Sequence, residues 1–136
     1  MAFSTPIEEE GYKTLRGYME SNWTTHKLYE TEGSTNPQFE SDITQVNTEW
    51  VHTSDNPMIL QTEITGEELA NNLGVSIDGD GFLATGITIG HSQVYHDNEE
   101  TFENPLAKQD VTNFTFEHET DKMTVQHYIL APKSSE

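Results

Sequence analysis

Phe82 to His96, FLATGITIGHSQVYH, is the longest run in the chain that reads as one extended strand. Leu83, Ile87 and Ile89 point to one face, and Ala84, Gly86, Thr88 and Gly90 to the other, the period of two of a half-buried strand. Gly86 and Gly90 mark places where the strand bends or a neighbour comes close. Two C-terminal segments, Val111 to Glu119 and Met123 to Leu130, are expected beside it as a hairpin turning at Thr120 and Asp121. In that register His118 faces Met123, Phe116 faces Val125, and Phe114 faces His127. Phe114, Phe116, Met123, Val125 and Ile129 form the apolar face; Asn113, Thr115, Glu117, Thr124 and Gln126 form the wet one.

Upstream, Asp78-Gly79-Asp80-Gly81 is a tight turn leading into the long strand. Thr65-Gly66-Glu67-Glu68 has the form of a capping box, and Gly74 suits the position just past a short helix. Ile43 to Thr53 and Met58 to Ile64 alternate on either side of Ser54-Asp55-Asn56-Pro57 and read as a second hairpin. Lys27 to Thr31 is a short strand, and Glu32 to Asp42 is turn-rich loop. At the start, Thr5 can cap a helix, Pro6 suits its first position and Glu8 completes a capping box. Advancing about 100° per residue gathers Ile7, Tyr12, Leu15, Tyr18, Met19 and Trp23 on one stripe. His96 to Asp110 breaks the pattern with clustered acids and a proline; it is a long loop or irregular helix, expected to be covered by another subunit. The expected class is α+β: a mostly antiparallel sheet packed on an N-terminal amphipathic helix, with a short second helix. A chain of 136 residues fits a single domain, residues 1–136.

The charge is the most unusual property. Twenty-four acidic side chains face six basic ones, Arg16 and five lysines, for a formal net charge of −18. The acids are scattered from Glu8 to Glu136, so the whole surface repels nucleic acid and anionic lipid. Three readings fit: adaptation to a salt-saturated cytoplasm of a halophilic host, a surface that lets DNA slide past, or a mimic of DNA. Hydrophobic residues make up 32%, which gives a modest core that subunit contacts would complete. Cysteine is absent, which removes disulfides and thiol chemistry. The opening MAFSTPIEEE lacks the basic start and apolar core of a signal peptide, so use without export is expected.

No reaction centre is legible. Gly90-His91-Ser92-Gln93-Val94 copies four positions of the nucleophile elbow but has Val94 where the last glycine belongs, and Ser92 lies mid-strand. The six histidines show no i, i+4 pair or compact cluster. No carboxylate pair stands out as acid and base, and no phosphate loop or basic patch occurs. The expectation is therefore a protein that is not an enzyme, with no catalytic, cofactor-binding or metal-ligating residue. Trp23, Trp50, Phe102 and Leu106, large apolar side chains near segment ends, are the candidate interface residues.

The element order is similar to that of tail terminator proteins of long-tailed viruses. The resemblance rests on Pro6 to Asn22 as opening helix, Glu49-Trp50-Val51 and Met58 to Ile64 as early strands, Phe82 to Tyr95 as central strand and Met123 to Leu130 as the last. A helix that the family carries after its central strand is replaced here by Asp97 to Asp110. The resemblance implies a homo-oligomeric ring, usually a hexamer, that caps the tail tube and joins it to the head. Its partners would be tail tube and head-tail connector proteins, with DNA passing unbound and no membrane. The ring would be assembled in the host cytoplasm and reside in the virion tail. The alternative is an acidic DNA mimic that inhibits a host defence protein.

Overall fold

The computed structural model describes residues 9–52 and 57–129. Among them, two helices and seven strands form in the order α1 (Glu9–Asn22), β1 (Trp23–Tyr29), β2 (Phe39–Asp42), β3 (Thr48–His52), β4 (Met58–Thr65), α2 (Gly66–Leu73), β5 (Phe82–His96), β6 (Ala107–His118) and β7 (Lys122–Ile129). One sheet runs β2-β1-β5-β6 and the other β3-β4-β7, with every pairing antiparallel. The α+β class is as the sequence implies, but the strands divide into two sheets that share a core.

The long strand β5 has the bounds expected of it, and β1 and β6 flank it. Leu83, Ile87 and Ile89 are buried as their spacing dictates. The β5–β6 ladder then slips between Ile89 and His91, so that Ser92 and Val94 occupy the inward positions farther along. Gly90 sits at this slip. A Cβ there would stand 2.2 Å from Asn113 Oδ1 and 2.7 Å from the Glu30 carbonyl oxygen, a close approach that glycine alone permits.

The closing hairpin does not form. β6 pairs with β5 and β7 pairs with β4, Leu60 opposite His127 and Thr62 opposite Val125, so residues 119–121 carry the chain from one sheet to the other. The helix α2 explains why. Its first amides, on Gly66 and Glu67, donate to the carbonyls of Asp121 and Glu119 at 2.8 and 3.1 Å, and the Glu119 amide donates to Gly81. The Glu119 amide and carbonyl, both taken here, are the groups a two-residue turn at Thr120 and Asp121 would need to pair with Lys122. The Asp121 carboxylate accepts from the Glu117 and His118 amides, which hold it below the usual carboxylate range. His118 and His127 therefore lie in different sheets rather than on one hairpin face. Of the expected inward set, Phe116, Val125 and Ile129 are buried and Met123 is half-buried, but Phe114, on the β6 stretch beside the rim of β5, is 38% exposed.

The crossing fixes a glycine. A Cβ on Gly66 would lie 2.1 Å from the His118 carbonyl oxygen. Gly66→Ala is expected to cost about 3 kcal/mol, measured by urea unfolding.

Other boundaries shift for local reasons. β1 begins at Trp23, directly after α1, rather than at Lys27. Phe39–Asp42, expected as loop, forms edge strand β2 opposite Leu28 to Thr25; its polar FESD lacks an alternating apolar signal. Residues 43–47 turn, with Gln45 bonding back to Asp42, so β3 starts only at Thr48. Its hairpin with β4 holds, Trp50 opposite Leu60. β6 starts at Ala107, which shortens the irregular stretch to residues 97–106. The capping box of α2 is present in both directions, and Gly74 closes the helix at φ 72°. The Thr5-Pro6 helix start and the Ser54 to Asn56 turn lie outside the described residues. In α1, Tyr12, Arg16 and Met19 are buried while Leu15 and Tyr18 are exposed, so the inward stripe is rotated from the expected one.

The core has two apolar halves. Leu28, Ile64, Leu69, Ala70, Leu83, Ile87, Ile89, Phe116 and Val125 form one. Met19, Met58, Leu60, Val94 and Ile129 form the other, with Trp23 and Trp50 packed on it. Each fully buried Leu or Ile contributes roughly 1.5–3 kcal/mol.

Candidate functional site

Between the two halves lies a polar layer. On β4, Thr62 sits between Leu60 and Ile64; on β5, Ser92 between Ile89 and Val94; on β7, His127 between Val125 and Ile129. Each of those flanking pairs has one member in either apolar half. His26 on β1 completes the layer. Its Nδ1 lies 2.7 Å from Thr62 Oγ1 and its Nε2 2.6 Å from Ser92 Oγ. Ser92 Oγ lies 2.7 Å from His127 Nδ1, and Thr62 Oγ1 2.8 Å from Thr48 Oγ1. His26, Thr62 and Ser92 are fully buried, and His127 is 1% exposed.

With both imidazoles neutral, which their burial favours, this chain closes in either of two opposite proton orders. In one, Thr48 donates to Thr62, Thr62 to His26 Nδ1, His26 Nε2–H to Ser92, and Ser92 to His127 Nδ1; in the other every bond reverses. Burial pushes His26 down to about 3, helped by the charge His127 would carry. Burial, then nearby His91, pushes His127 down to about 4. The serine in the elbow-like sequence thus lies between two imidazoles, but with no surface at which a substrate could meet it. Its hydroxyl ties the two sheets together.

A second chain lines the opposite face of β5. Tyr29 and Tyr95 hydroxyls lie 3.2 Å apart, Tyr95 donates to Gln93 Oε1 at 2.7 Å, Gln93 Nε2 meets His91 Nε2 at 3.1 Å, and His91 Nδ1 meets Asp110 at 2.8 Å. Burial, then the bond to Tyr95, raises the Tyr29 phenol above its ordinary value. Lys27 sits 4.1 Å over the Tyr95 ring and 2.7 Å from Glu99. Burial works to lower its ammonium, but the Glu99 bond and the charges of Glu40 and Glu99 outweigh it and raise it.

The candidate interface residues separate. Trp23 and Trp50 are half-buried against the Met58, Leu60 and Val94 half of the core. The Trp50 Nε1 is buried and has no hydrogen-bond partner among the described residues. Phe102 is 42% exposed and stacks on His96 with ring centres 4.2 Å apart; His96 is in turn the ladder partner of Trp23. Leu106 is half-buried, and its amide bonds to the Val94 carbonyl.

The histidines are where sequence reasoning fell short. His26, Ser92 and His127 lie far apart in sequence and meet because their strands stack. The available signal was a small set of polar residues at inward parity in otherwise apolar strands. Among the described residues no three His, Asp or Glu side chains gather as a metal site, and no helix is long and apolar enough to cross a membrane. Compared with protein-family models, with curated proteins and with solved structures, the chain matches none.

Proposed function

We propose that this chain is a structural subunit of a virus tail or neck, a tail terminator that assembles as a ring, caps the tail tube and joins it to the head. The observation that carries the reading is the distribution of charge. In a chain of net charge −18, Gly81 to His96 contains no Asp, Glu, Lys or Arg, and its only titratable side chains are His91, Tyr95 and His96. Ala84, Gly86, Asn113 and Thr115, from β5 and its partner β6, are exposed, and Thr88 bonds Thr115 across the pair at 2.7 Å. Copies of so acidic a chain repel one another, and a carboxylate-poor strip is where two of them can approach most cheaply. Carboxylates elsewhere would let DNA pass a lumen without binding. The reading assigns the protein no catalysis.

Light scattering at low and high salt tests it. The expected result is a ring-sized particle that is favoured as salt screens the repulsion and that adds to the end of tail tubes. Thr115→Lys should shift it to monomer while leaving the circular dichroism spectrum unchanged. A monomer at every salt and concentration, inert toward tail-tube protein, overturns the proposal. Such a monomer that displaces DNA from a DNA-binding defence protein would favour the mimic instead.

A further inference from the structure

His96 closes β5 where the acidic segment 97–106 begins, and its side chain is 8% exposed. Three groups reach its two nitrogens. The Tyr18 hydroxyl of α1 lies 3.1 Å from Nε2. The Asn98 backbone amide donates to Nδ1 at 2.9 Å, and the Asp97 carboxylate lies 2.8 Å from the same Nδ1. The last two contacts make opposite demands. An amide N–H needs a lone pair on Nδ1, whereas a carboxylate needs a proton there.

We propose that His96 is a two-state proton switch that governs how segment 97–106 is anchored to the body of the protein. With a neutral ring, Nε2–H donates to Tyr18, Nδ1 accepts from Asn98, and the Asn98 turn is pinned beneath the imidazole. With a protonated ring, Nδ1–H donates to Asp97 and the Asn98 amide is released to water. The Asp97 amide stays bonded to the Asn22 carbonyl at 2.8 Å in either state, so the switch acts on the turn that begins at Asn98. Asn98 in turn accepts from the Thr101 and Phe102 amides, so its release moves the turn whose Phe102 ring covers His96. Farther along, the Glu99 carboxylate is held by Lys27, and the Leu106 amide by Val94.

The groups facing the ring are few. From α1 comes Tyr18; from β1, the uncharged ladder partner Trp23; from the segment itself, Asp97, Asn98 and uncharged Phe102. Asp97 is the charged side chain in direct contact with the ring, and it is half-exposed. Histidine is the side chain suited to such a device, because its proton load changes within the physiological range. The switch is independent of the ring reading: it concerns one chain and requires no assembly.

Nuclear magnetic resonance titration of the whole protein from pH 8 to 5 tests it. The His96 Cε1 proton reports the ring, and the Asn98 amide reports the hydrogen bond. The expected result is that the Asn98 amide resonance moves upfield in step with the His96 titration, with Phe102 ring signals following. In Asp97→Ala, which removes an exposed side chain, the shared midpoint should move to lower pH. Tyr18→Phe should leave the coupling between ring and amide intact. A His96 ring that titrates while the Asn98 amide stays still overturns the proposal. So does an unchanged midpoint in Asp97→Ala, or a ring that takes up no proton in this range.

Discussion

Stability is expected to fall by about 2.5 kcal/mol per pH unit between pH 5.5 and 4.5, because unfolding takes up nearly two protons. Both belong to the polar layer. His26 and His127 are held neutral in the fold, near 3 and 4, against an ordinary value of 6.5. A group whose folded value is depressed by burial of its charged form gives its full stability above the unfolded value. The loss starts as pH drops below 6.5, eases near 4 for His127 and ends near 3 for His26. The carboxylates act in the other direction, since protonating them relieves the self-repulsion of a −18 chain, but they titrate mainly below pH 4.5. Urea unfolding at half-unit steps from pH 7.5 to 4.5 reads the slope. His127→Gln should halve it. Concentrated salt should leave it in place, because screening acts on exposed charge and not on the desolvation of a buried imidazole. Constant stability through this window would refute the neutral assignment.

Ser92→Ala should cost about 2–6 kcal/mol, a large effect for the loss of one oxygen. The hydroxyl serves His26 Nε2 at 2.6 Å and His127 Nδ1 at 2.7 Å. Removing it leaves two buried nitrogens without a partner, each costing about 1–3 kcal/mol. An ordinary buried serine with one bond would cost about 1 kcal/mol. The double variant Ser92→Ala, His127→Leu should recover part of the loss, since taking both partners away together removes a stranded group. Unfolding midpoints of the four proteins in this cycle decide the matter. Strictly additive losses would mean that the serine and the histidine act independently.

Local patterns in the sequence were reliable where a single element sets them. The alternation of β5, the Thr65 capping box and Gly74, and the β3–β4 pairing all depend on neighbours a few residues away. Burial parity was legible for Phe116, Val125 and Ile129, because a side chain must face the core whichever strand lies beside it. Pairing was not legible for β6 and β7. Thr120-Asp121 looks like a turn between matched strands, and the α2 amides from Gly66 and Glu67 together with the Gly81 carbonyl divert it. β2 was hidden because an edge strand with one covered side needs no apolar run. The polar layer was hidden for a different reason: His26, Ser92 and His127 have unremarkable neighbours in sequence and acquire their meaning only when two sheets are stacked.

The crossing at residues 119–121 also sets an order of events for the growing chain. β4 waits for a partner at the far end of the sequence, with Met58 opposite Ile129 and Thr65 opposite Lys122. During synthesis the β3–β4 hairpin is therefore complete on one side only, with the other edge open until β7 has been made. Contacts of such long sequence separation slow folding, and an open edge invites pairing with other chains. Glu63, with its carboxylate, and Gln61 lie on that waiting strand. They give it some protection during the interval in which α2 has formed but the segment it will hold has not yet been made.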